Sequence, residues 1–89
     1  MLVLPQDLTR IQAPACLQML VQGLRKEQDA TVVVDASALS RFDSAALAVL
    51  LEFRRQAFAL GKSLAVRAMP QRLRDLAALY GIAELLPSD

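Results

Sequence analysis

The sequence predicts an α/β layer fold, a small sheet of mostly parallel strands with helices packed on it. Two observations carry this. Short apolar runs alternate with segments of helical period in the order strand–helix–strand–helix–strand–helix. Right-handed crossovers between such units place the strands side by side and parallel. A third observation bounds the size: 89 residues fit one domain spanning 1–89 and leave no room for a second.

Each element has its own justification. Leu2-Val3-Leu4 is a short apolar run that Pro5 stops, consistent with a strand. Thr9 followed by Gln12 has the spacing of a capping box, and Ala13, Leu17, Leu20, Val21 and Leu24 follow at helical intervals. Pro14 is comfortable only in a first turn, so the regular helix either starts upstream or begins at Ala13. It runs to about Lys26, with Cys16 at the edge of its stripe. Thr31-Val32-Val33-Val34-Asp35 is β-branched and almost continuously apolar, which suits a strand covered on both faces. A loop from Ala36 to Phe42 follows, with Leu39 and Phe42 as its anchors.

The second helix is expected from about Ser44 to Leu60, with Leu47, Leu50, Leu51 and Phe58 facing inward and Gly61 ending it. Ser63–Arg67 alternates as a strand. Met69-Pro70 opens a third helix with Pro at its first position, an apolar stripe of Leu73, Leu76, Ala77 and Tyr80, and Gly81 as its stop. Ile82, Leu85 and Leu86 then fold back as an apolar tail. Three clear strands make a thin sheet, so either a further strand is hidden near a terminus or an edge awaits a partner.

Composition removes several function classes. Lys plus Arg number 10 against 9 Asp plus Glu, a net charge of +1 with no basic field for a nucleic-acid backbone. The chain has no His and one Cys, so a zinc site of the usual ligands and His-based acid–base chemistry are both excluded. There is no Gly-rich phosphate loop, and no nucleophile or metal-ligand set accompanies Asp35 and Asp43. No catalytic residue, metal or cofactor is therefore expected. No apolar run approaches a membrane span, and the start of the chain does not read as a signal sequence, so the expectation is a cytoplasmic protein without direct membrane insertion. Hydrophobic residues make up 55% of the chain but aromatics only 4%, an aliphatic excess that fills a dense core or serves a partner-facing surface.

The most informative stretch is Val32-Val33-Val34-Asp35 followed, after the loop, by Phe42-Asp43-Ser44-Ala45-Ala46-Leu47-Ala48-Val49-Leu50-Leu51. Asp43 is an N-cap candidate, able to accept from free N–H groups of the first turn at the positive end of the helix dipole. Ser44 projects its hydroxyl from the rim, where an added phosphate would meet the same N–H groups. Ala45, Ala46, Ala48 and Val49 fall at least partly outside the expected inward stripe, and small apolar residues facing outward let another backbone approach closely. Arg41 is either a rim contact or solvated. Asp35 ends the central strand beside this loop, where it is expected to hold the loop by backbone hydrogen bonds, the alternative being a share in partner contact. Taken singly, each residue has a plainer reading: Asp before a helix is a cap, Ser is a good first-turn residue, and alanines pack helices tightly.

The combination of a buried strand ending in Asp, a short loop and Asp43-Ser44-Ala45-Ala46-Leu47 resembles the STAS domain, the fold of anti-sigma-factor antagonists and their relatives. The resemblance runs from Leu2 through Leu86, and the family motif is Asp, Ser or Thr, a small residue, Gly and Leu. The tail, Leu76-Ala77-Ala78-Leu79-Tyr80-Gly81-Ile82 with Leu85-Leu86-Pro87, is similar to the MlaB branch, the STAS subunit of the Mla phospholipid-transport system. Two features depart from the pattern: Ala46 stands where the family has Gly, and the family's first strand, ahead of Leu2–Leu4, is missing.

The resemblance implies a non-enzymatic cytoplasmic subunit, peripheral to an inner-membrane complex, that binds the ATPase of a lipid ABC transporter. Arg41, Asp43, Ser44, Ala45, Ala46, Ala48 and Val49 would form the contact. The alternative it implies is an anti-sigma-factor antagonist, released from its anti-sigma-factor kinase by phosphorylation of Ser44.

Overall fold

A computed structural model describing residues 1–89 contains strands β1 (Leu2–Val3), β2 (Asp7–Leu8), β3 (Thr31–Asp35), β4 (Arg41–Phe42) and β5 (Ser63–Arg67). Its helices are α1 (Ala13–Leu24), α2 (Ala45–Ala59) and α3 (Gln71–Leu79), followed by a short 3-10 turn at Ala83–Leu85. The main sheet has the order β1-β3-β5, and every pairing in it is parallel. Val32 stands opposite Leu64 and Val34 opposite Val66, so one face of the sheet is a block of aliphatic side chains.

This winding determines where the helices lie. Two successive right-handed crossovers that step in the same direction put both connecting helices on the same face. Accordingly α1 packs along α2, and α2 in turn packs against β5. Val32 and Val34 on that face are fully buried, whereas Val33 is only half-buried and lies outside the main core cluster. The expectation of a central strand covered on both faces is thus corrected: the β-branched run reflects one fully covered face.

The α2 stripe also differs from expectation. Phe53 is fully buried and Phe58 is half exposed, with the Arg54 guanidinium over its ring. The true inward face is Ala46, Leu50, Phe53 and Ala57, widened by Leu47 and Val49, because α2 packs against both α1 beside it and the sheet beneath it and so buries two flanks. Cys16 lies within the core rather than at its edge, and burial raises its thiol pKa. Tyr80, expected to be partly core, is largely exposed. Pro70 stands one position earlier than expected, as the N-cap of α3, and its carbonyl accepts from Leu73 and Arg74 N–H. Gly61 and Gly81 take positive φ angles of 75° and 72° just past α2 and α3, the left-handed geometry that stops a helix cheaply only at Gly.

The thin sheet is extended at one edge by the chain's own tail. Val66 N–H donates to the Pro87 carbonyl at 2.8 Å and Asp89 N–H to the Val66 carbonyl at 3.1 Å, a single parallel bridge between Val66 and Ser88. At the opposite edge lies β1, tied to β3 by Leu4 N–H to the Asp35 carbonyl at 2.9 Å. The radius of gyration, 11.8 Å, is close to the ~12 Å expected of a compact domain of this length.

Candidate functional site

Two segments distant in sequence are joined by two-residue strands that carry no periodic signal. Asp7 and Leu8 of β2 pair in parallel with Arg41 and Phe42 of β4, and the Gln6 carbonyl accepts from both Ser40 and Arg41 N–H. Leu8 is fully buried here and Leu39 nearly so, which anchors both segments to the core. Arg41 and Phe42 then alternate in direction: Phe42 packs against the core, and Arg41 is exposed. Asp35 holds the intervening loop, its Oδ1 accepting from Ser37 N–H at 2.9 Å. The Ser37 N–H and hydroxyl, with some help from Arg67, hold the Asp35 carboxyl below the usual aspartate range, against a smaller opposing effect of burial.

Asp43 is the hinge-pin of the tip. Its Oδ1 accepts from Ala45 N–H at 2.8 Å, capping α2, and its Oδ2 accepts from Arg10 N–H at 3.2 Å. One carboxylate therefore caps α2 and tethers the turn that leads into α1. That turn is ordered internally: Thr9 N–H donates to Gln12 Oε1 at 2.9 Å, the Thr9 hydroxyl donates to the same oxygen at 2.7 Å, and Ile11 N–H donates to Thr9 Oγ1 at 3.2 Å. The Thr9–Gln12 spacing thus builds half of a capping box one turn ahead of the regular helix, and Pro14 still falls in the first turn of α1.

Ser44 already has helical dihedrals and is exposed, and its side chain takes no part in capping. The N–H groups after it are committed: Ala45 to the Asp43 carboxylate, Ala46 to the Asp43 carbonyl, and Leu47 and Ala48 to the Ser44 carbonyl. A phosphate on Ser44 would not find these donors free, which corrects the expectation that they would receive it.

The small-residue face divides in two. Ala48 is exposed and Ala45 is half-buried, so both reach the surface beside Ser44. Ala46 and Val49 are 0% and 3% exposed. The expectation that these two face outward is corrected, because packing against both α1 and the sheet consumes their flank of the helix. Glu52 and Arg55, farther along α2, bind each other through a three-bond ion pair, which lowers the Glu52 pKa.

The structure adds two residues that the motif did not indicate. Arg10 is exposed and is tied through its backbone to Asp43, and Ile11 beside it is 79% exposed, the most exposed large apolar residue of the chain. The only sequence trace of their placement is the Thr9–Gln12 spacing, which fixes the turn but not its neighbour. No cluster of His, Cys, Asp or Glu stands ready to hold a metal ion, and no helix is long and apolar enough to cross a membrane.

Comparison with known proteins gives one family: a family model described as "Mlab, STAS domain" matches residues 1–87. No curated protein matches the chain.

Proposed function

The chain belongs to the STAS domain family, and from that premise we propose that it is a non-enzymatic subunit that docks on, and regulates, the ATPase of a phospholipid ABC transporter. It would act from the cytoplasm, at the periphery of an inner-membrane complex. The observation that carries this reading is the exposed tip of α2, where Ser44, Ala45 and Ala48 offer small side chains on a rigidly capped helix end. Arg41 and Asp43 complete the contact from the loop. Ala46 and Val49 support it only from beneath. Regulation follows from differential affinity: the domain biases whichever arrangement of the ATPase it binds more tightly, and by no more than that difference.

The test is co-purification with the ATPase subunit of the same organism's phospholipid ABC transporter. Ser44→Glu should abolish the complex while circular dichroism stays unchanged, since a helix start accepts the charge and a dry interface does not. Undiminished binding would remove Ser44 from the contact. A second reading, a partner-switching antagonist released from an anti-sigma-factor kinase, is favoured by one feature: Ser44 is exposed and its hydroxyl is not engaged in capping. Phosphopeptide mass spectrometry on the protein from its native cells separates the two, because only the switch requires phosphorylated Ser44.

A further inference from the structure

The turn that leads into α1 is closed on itself except at one point. From Thr9 to Ala13 each backbone N–H has an acceptor. Thr9 N–H donates to Gln12 Oε1, Ile11 N–H to Thr9 Oγ1, and the Gln12 and Ala13 N–H groups to the Thr9 carbonyl. Only Arg10 N–H leaves the segment, to reach Asp43 Oδ2 at 3.2 Å. The other oxygen of that carboxylate caps α2 through Ala45 N–H at 2.8 Å. The backbones of Arg10 and Ala45 thus lie within the span of one carboxyl group and two hydrogen bonds.

Ile11 is the side chain that this arrangement presents. A lone exposed apolar residue is ordinary on a loop that is free to move. Ile11, 79% exposed, stands instead on a turn whose N–H groups are all bonded, between the fully buried Leu8 and Ala13, which packs on the core. Its backbone is ordered in advance, and an anchor so prepared loses little freedom on binding. Both Asp43 oxygens are taken by backbone N–H groups, so this carboxylate serves a contact through what it holds.

We propose that Asp43 is the positioning residue of a two-segment docking surface: it holds the Arg10–Ile11 turn beside the start of α2, and Ile11 enters an apolar depression on the transporter ATPase. This deepens the docking reading above and rests on it. A side chain with no polar atom gains from a contact by leaving water, so the surface that receives Ile11 is apolar. Asparagine at position 43 separates the two duties of the carboxylate. Its one oxygen keeps the acceptor for Ala45, and its NH2 group offers none to Arg10.

The test is a double-mutant cycle of Asp43→Asn and Ile11→Ala, read by interferometry as Kd for the purified transporter ATPase. Ile11→Ala should weaken binding by about fivefold or more. Asp43→Asn should weaken it by roughly threefold to tenfold, as the turn loses its fixed placement. In the Ile11→Ala background, Asp43→Asn should weaken binding by less than about twofold further, because the side chain it positions is gone. Hydrogen exchange on the free Asp43→Asn chain should show a faster Arg10 amide with the Ala45 amide still protected. Ile11 is exposed, so the Ile11→Ala melting curve should match the wild type. An Arg10 amide as slow in Asp43→Asn as in the wild type would overturn the tether. Equal Asp43→Asn losses with and without Ile11, or undiminished binding by Ile11→Ala while Ser44→Glu still abolishes the complex, would overturn the inference and leave the docking reading standing. Failure of the wild-type chain to bind the ATPase would overturn both.

Discussion

Single residues at the tip divide into those that hold the scaffold and those that face outward. Asp35 belongs to the first group. Hydrogen bonds from Ser37 favour its charged form in the folded state, so its folded pKa lies below the unfolded value. Its stabilising contribution is therefore present above the ordinary aspartate pKa and is lost as pH falls through the depressed folded value. An NMR titration should place the Asp35 midpoint below that of an unstructured aspartate, and Ser37 amide shifts should move with the same midpoint. A midpoint at or above the ordinary value would mean that the 35–37 turn is not held as described. Asp35 is surface-exposed enough that the effect is local, a loosening of the loop and not acid unfolding. Ser44, Ala48, Ile11 and Arg41 belong to the second group, and nothing inside the monomer requires their identity.

At the scale of elements, the α2 start and the α1 lead-in form one unit because a single carboxylate serves both. Asp43→Ala removes a helix cap, a loss of about 1 kcal/mol in such cases, and also frees the Arg10 turn. Thermal melting should show a drop of roughly 4–8 °C for a domain of this size. Asp43→Asn, which keeps the side-chain acceptor for Ala45, should recover most of it. Equal losses in both variants would indicate that charge, not the hydrogen bond, stabilises the tip. The elements also show what was legible beforehand. β3 and β5 stood out because β-branched runs and alternation extend over five residues. β2 and β4 did not, because two residues carry no period, and they are the elements that bring the two halves of the tip together. The inward face of α2 was misplaced toward Phe58 for a related reason: with apolar residues at every position from 45 to 51, periodicity cannot distinguish a helix that touches only the sheet from one that also packs along a neighbouring helix.

On the scale of the whole molecule, the parallel order β1-β3-β5 places both crossover helices on one face and presents their tip and the 36–42 loop together. Asp43 and Ser44 were legible because capping and motif grammar are local. Arg10 and Ile11 were not, because the contact that carries them to Asp43 spans 33 residues of chain. The fold thus converts a short motif into a surface patch drawn from two distant segments, and the proposed docking puts the partner on that patch. Hydrogen–deuterium exchange of the full chain, alone and bound to the transporter ATPase, measures this most directly. Slowed exchange at residues 10–12 and 41–48 upon binding, with the β5 segment unchanged, is the predicted result. Protection confined to other surfaces, with both tip segments exchanging as in the free chain, would contradict it.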